Sequence, residues 1–104
     1  MNKSIIPIID TPEAMTRLIW MRDYEPQNLL RLHEQGLLRK NVETTVEFAL
    51  SVKSNFITKH NMIEEAAQEI IVSLLAPFPD SPRKPSEICE SKFQSILMEI
   101  RTEI

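Results

Sequence analysis

His33, His60 and Cys89 are the residues of this 104-residue chain best suited by type to hold a metal ion or form a covalent bond. Zinc takes thiolate and imidazole ligands, and most of its sites draw two of them from a short local motif. No CxxC, HxxxH or HExxH connects these three, so neither a metal nor a cofactor is expected. His33 and His60 read as helix-end surface residues. His60 sits where a cation would meet the negative end of a helix dipole. Cys89 could act as a nucleophile only with a base brought to it in space. Its plainer role is a small, half-buried packing residue near the start of the last helix. A lone cysteine closes no internal disulfide, which fits a reducing, cytoplasmic setting.

Three carboxylates, Glu64, Glu65 and Glu69, lie close together. Acid–base catalysis needs one carboxyl in an apolar pocket, where desolvation raises its pKa. These three fall on the polar side of an amphipathic pattern and read as a solvated face. Phosphate-binding loops are excluded more firmly. They need clustered glycines, so that backbone can approach phosphate without a Cβ in the way. This chain has one glycine, Gly36. No catalytic constellation remains, and an enzyme is not expected.

Gly36 raises a different possibility. It separates the leucine-rich runs NLLRLHEQ and LLRK, as a glycine does between the helices of a helix-turn-helix DNA reader. Arg31, Arg39 and Lys40 cluster around it as candidate nucleic-acid contacts. Residues 12–40 carry Arg17, Arg22, Arg31, Arg39 and Lys40 against Glu13, Asp23, Glu25 and Glu34, a surplus of one. Specific DNA binding usually rests on several phosphate contacts. A recognition helix after Gly36 would also present Glu43 and Glu47, which repel phosphate. The net charge of −3 adds no general attraction. A structural turn at Gly36 is therefore the first reading, and a DNA-binding regulator the alternative.

The elements that place these residues read as helices. Residues 1–10 look extended, with Pro7 interrupting the isoleucines. Thr11-Pro12-Glu13 starts a helix: threonine caps, proline takes the first helical position where its missing N–H costs nothing, and the acid meets the dipole. Met15, Leu18, Ile19 and Arg22 share one face of it. Pro26 stops this helix and opens a second that runs to Gln35, and Gly36 closes it in the left-handed conformation. The third and longest helix starts at Leu38 or Asn41 and ends at His60, striped by Val42, Val46, Ala49, Leu50, Phe56 and Ile57 and widened by Phe48 and Val52. Asn61 followed by Glu64 suits a capping box for the fourth. There Ile63, Ala66, Ala67, Ile70, Ile71, Leu74 and Leu75 repeat at helical spacing. Pro77, Pro79, Pro82 and Pro85 then make a stiff linker spanning at most about 28 Å. Ser86 caps a final helix with Phe93, Ile96, Leu97, Ile100 and Ile104 along one side.

The segment Pro26 to Leu38, ten residues from proline to glycine, resembles part of the small transposon-encoded V-type accessory proteins (TnpV-like). Their pattern of proline, short leucine-bearing helix, G-x-L and polar-leucine is similar to Pro26, Leu32, Gly36, Leu38 and, more loosely, Asn41-Val42. Their A-x-E-I-V stretch is similar to Ala67-Gln68-Glu69-Ile70-Ile71, closing at Leu75. The resemblance covers about residues 20–76, and the proline-rich linker and last helix depart from it. It implies a mobile-element or phage setting and supplies no chemistry.

The expectation is a single all-α domain. A helical core occupies 1–76 with four helices, a linker 77–85, and a C-terminal amphipathic helix 86–104. At this length roughly 65% of the unfolded chain's surface can be buried, enough for one modest core. No apolar run approaches the roughly 18 residues of a membrane span. The function expected is a non-enzymatic protein–protein interaction or accessory role, with a protein partner and a homodimer formed through Phe93, Ile96, Leu97, Ile100 and Ile104. A helix of that length is marginal alone in water, so its stripe must be buried somewhere.

Overall fold

The structure, a computed structural model, describes residues 7–78 and 87–102. It is all-α: a 3-10 turn (Ile8–Asp10) and helices α1 (Pro12–Tyr24), α2 (Pro26–Glu34), α3 (Leu38–His60), α4 (Glu64–Leu75) and α5 (Glu90–Thr102). The molecule measures 42 × 41 × 20 Å, so it is about two helices thick. Among the described residues no helix is long and apolar enough to cross a membrane.

Local signals explain most boundaries. The Thr11 hydroxyl accepts from the Ala14 backbone N–H at 3.3 Å, and Pro12 takes the first helical position. Gly36 has φ +72°. Its N–H donates to His33 O at 3.1 Å, and that of Leu37 donates to Leu32 O at 2.9 Å. This pair of bonds is a Schellman closure, and it satisfies two carbonyls that the end of α2 would otherwise leave bare.

Four expectations are corrected. Ile8–Asp10 is a 3-10 turn rather than extended chain, because Ile9 is drawn into the core. The buried face of α1 is Ala14, Leu18 and Met21, with Ile19 left 38% exposed, so the stripe is rotated from the expected one. Asn61 does not cap α4. It ends α3 in the left-handed conformation (φ 53°), which asparagine tolerates better than most side chains, and α4 begins after Ile63 without a side-chain cap. α5 begins at Glu90, and the proposed cap Ser86 lies outside the described residues, as does most of the linker.

One core cluster joins the 3-10 turn, α1, α2, the first half of α3, the end of α4 and α5. Leu38, Val42, Val46 and Ala49 are the buried residues of α3; beyond them it continues to His60 with only half-buried apolar side chains. The longest helix therefore serves the core with its first half and also packs against α4.

A helix-binding groove as the candidate functional site

α5 presents a narrow apolar stripe. Phe93, Ile96, Leu97 and Ile100 fall at i, i+3, i+4 and i+7 and are all at most 2% exposed. Met98, on the opposite face, is 70% exposed. The stripe lies in a groove walled by the 3-10 turn, α1, α2 and the start of α3, in one cluster with Ile9, Leu29, Leu32, Leu38 and Val42. Ile88, just ahead of the helix, is 4% exposed and joins the same cluster. Fully burying such side chains stabilises by about 1.5–3 kcal/mol each.

The rim of the groove is ordered by charge. Arg22 of α1 lies 3.8 Å from Glu90 and places its guanidinium 4.7 Å from the Phe93 ring centroid. Gln27 of α2 donates to Glu87 at 2.9 Å. His33 Nε2 lies 3.3 Å from Glu99. At the far end Arg101 lies 3.6 Å from Asp10 of the 3-10 turn. The Arg39 Nη1 donates to Ile100 O at 3.0 Å while its Nε holds Glu43. The groove is thus basic toward the acids of α5 and acidic toward its terminal arginine. Both ends of α5 also agree with its own dipole, Glu90 in the first turn and Arg101 in the last. Glu90 and Glu99 are 65% and 63% exposed, so these pairs contribute little energy; they fix direction and register.

α1 also holds the end of α4. Arg17 Nη1 donates to Leu75 O at 2.8 Å, and Trp20 Nε1 to Pro77 O at 2.9 Å. The Arg17 guanidinium lies 4.6 Å from the Trp20 ring centroid. Burial lowers the Arg17 pKa, an effect Glu25 partly offsets, and its Nε is a buried donor with no partner. Together they clamp the last carbonyl of α4 and the chain just beyond it.

The residues singled out in the sequence are dispersed. Arg31 is exposed and bonds Asn28, Arg39 is held by Glu43 and the Ile100 carbonyl, and Lys40 is exposed. A shallow recess of about 290 Å³ between α2 and α3 is lined by Leu32, Leu37, Lys40, Asn41, Thr44 and Thr45. It is apolar and smaller than most ligand sites. His33 is half-buried against α5, whereas His60 is exposed and lies tilted against Phe56 with ring centroids 5.8 Å apart. Among the described residues no three His, Cys, Asp or Glu side chains are placed to hold a metal ion. Glu64, Glu65 and Glu69 all face solvent.

Cys89 corrects its expectation. It is exposed, at the residue before α5, where its carbonyl accepts from the Phe93 N–H at 3.0 Å. Hydrogen bonding from Ser91, then from the Lys92 backbone N–H, lowers its thiol pKa. Four of the expected self-association residues, Phe93, Ile96, Leu97 and Ile100, are buried within their own chain; Ile104 lies outside the described residues.

The rim residues Asp10, Arg22, Gln27 and His33 carried no sequence signal for this role. Gln27 and Glu87 are 60 positions apart, and no local pattern announces such a pair. The chain matches no protein-family model, no curated protein and no solved structure.

Proposed function

We propose that this chain is a non-enzymatic, helical protein–protein interaction or accessory protein that works by seating an amphipathic helix in the α1–α2–α3 groove, and that it self-associates as a homodimer. One observation carries the reading: the apolar stripe of α5 is received in a groove whose rim matches it in charge, the helix-in-groove mode of recognition. The resemblance of residues 20–76 to transposon-encoded accessory proteins supports a setting on, or against, a mobile element in the cytoplasm. Arg39 is tied to α5, so the geometry does not favour the DNA-binding alternative.

Light scattering on the full chain and on a chain ending at Pro85 tests the reading. Association of the full chain at tens of micromolar, lost on truncation, is the expected result. A full-length monomer across that range would remove the homodimer. A truncated chain that still dimerises would move the contact to the first four helices.

A further inference from the structure

The apolar stripe of α5 is buried against its own chain, so the association proposed above needs a face that is still open. The hairpin of α3 and α4 has one. Lys53 Nζ donates to Gln68 Oε1 at 2.9 Å, and Gln68 Nε2 donates to Glu13 Oε2 of α1 at 3.3 Å. These bonds mark the flank of the hairpin that faces α1. At about 100° per residue, Phe48 and Val52 of α3 turn to the other flank, and so do Ile70 and Leu74 of α4. Ile63, just ahead of α4, continues the row of Ile70 and Leu74. Phe48 is 62% exposed, Ile63 66% and Leu74 41%, while Val52 and Ile70 are half-buried. One open apolar strip crosses both helices.

We propose that this flank is the dimer face, and that the same flank of a second copy covers it, the two strips meeting antiparallel about a two-fold axis. This rests on the homodimer reading above and names its surface. Two-fold contact sets a face against itself, so the face must not repel its own image. This one does not. Its borders are Thr44, Ser51 and Asn55 on α3 and Ser73 on α4, all uncharged and exposed. Glu47 and Glu69 point about 100° away from Phe48 and Ile70. Such depletion of charge, in a chain with 26% charged residues, is the mark of an interface core. A partner chosen by charge would find little to read here. Among the described residues Lys59 is the one charge on the flank, and antiparallel pairing carries it to the far end of the partner strip, away from its image. Size agrees. Thr44 to Lys59 rises about 23 Å and two helices are about 20 Å wide, a footprint of roughly 450 Å² per copy, which suits a weak, reversible dimer. α5 holds the first turn of α3 through Arg39 and the Ile100 carbonyl, so removing α5 disturbs this face as well.

The test uses the full chain. Phe48→Glu with Ile63→Glu puts two carboxylates in each strip, at positions exposed enough to keep the fold, which circular dichroism checks. Light scattering should show the parent dimerising at tens of micromolar and the double variant dissociating at about ten-fold higher concentration or more. Met98→Glu, 70% exposed on the outer side of α5, should change nothing. The unaltered chain gives a second readout: on dilution, the NMR signals that move should be the amides of Ser51, Asn55 and Ser73. A parent dimer that the double variant leaves equally tight, or whose moving signals centre on α5, overturns this face and leaves the homodimer reading standing. A parent that stays monomeric across that range removes the homodimer reading and the face with it.

Discussion

The Arg39 guanidinium reaches from the first turn of α3 to the last turns of α5, where Nη1 donates to the Ile100 carbonyl oxygen at 3.0 Å. That carbonyl is among the last four of α5 as described, the positions where helix carbonyls generally need a partner from outside. Arg39 therefore completes the end of α5 while its Nε holds Glu43 at 3.1 Å. Arg39→Ala removes both bonds and should cost about 1–3 kcal/mol, read as a lower midpoint in urea. Arg39→Lys replaces the spread, planar guanidinium fork with one compact ammonium and should recover only part of that loss. An unchanged midpoint for Arg39→Ala would mean that the end of α5 is not held here.

The same geometry decides how nucleic acid binding should be probed. Reversing Arg39 damages the fold, so loss of binding in such a variant would mislead. Lys40 is exposed and is the cleaner probe. No tight duplex binding is expected at physiological salt, and Lys40→Glu should leave gel-shift and heparin-column behaviour unchanged. Micromolar binding that falls steeply with salt, and is lost in Lys40→Glu, would restore the DNA-binding reading.

Gly36 sits at φ +72° with nothing within 4 Å of where a Cβ would be. The cost of a side chain there is thus backbone strain alone. Gly36→Ala should cost about 1 kcal/mol or more, a fall in Tm of about 4–8 °C for each kcal/mol at this chain size. Gly36→Asn should be milder. An alanine variant as stable as the parent would show that the Schellman closure between α2 and α3 is not strained by a side chain.

Gly36 was legible because glycine between two helical patterns has few other uses. Thr11-Pro12 was legible for the same reason: it acts on its own neighbours. Asn61 was misread because asparagine suits both a helix start and a left-handed helix end, and only the observed φ of 53° separates them. The groove was half legible. The stripe of Phe93, Ile96, Leu97 and Ile100 follows from spacing, but its seat does not. The residues that receive it come from four different elements, and they meet only after the chain has folded. Asn61 itself supplies a check: Asn61→Ala should cost about 1 kcal/mol, whereas Asn61→Gly should be neutral or slightly stabilising.

Cys89 gives a pH-dependent signal. Hydrogen bonds from Ser91 and the Lys92 N–H favour the thiolate over the thiol, and the positive end of α5 acts in the same direction. Stabilising the charged form lowers the pKa, so alkylation of Cys89 should reach its half-maximal rate below the pH of an ordinary thiol. Ser91→Ala removes the leading contributor and should move that midpoint upward. A midpoint unaffected by Ser91→Ala would assign the shift to the backbone and the helix end.

Phe93 and Met98 lie on opposite faces of α5 and make a matched pair. Phe93 is 2% exposed, inside the groove and beneath the Arg22 guanidinium; Met98 is 70% exposed. Phe93→Ala should cost about 3–5 kcal/mol, through lost burial, the cavity left behind and the lost cation–ring contact. That is a large fraction of the 5–15 kcal/mol of a typical domain, so partial unfolding at ambient temperature is expected. Met98→Ala should stay within about 0.5 kcal/mol. Urea titrations of both variants, at several protein concentrations, report the seat of α5 directly. A concentration-dependent midpoint for the parent, reduced in Phe93→Ala but kept in Met98→Ala, would show that the groove and the association share one surface. Equal, small effects from the two substitutions would mean that α5 does not rest in the groove by this face.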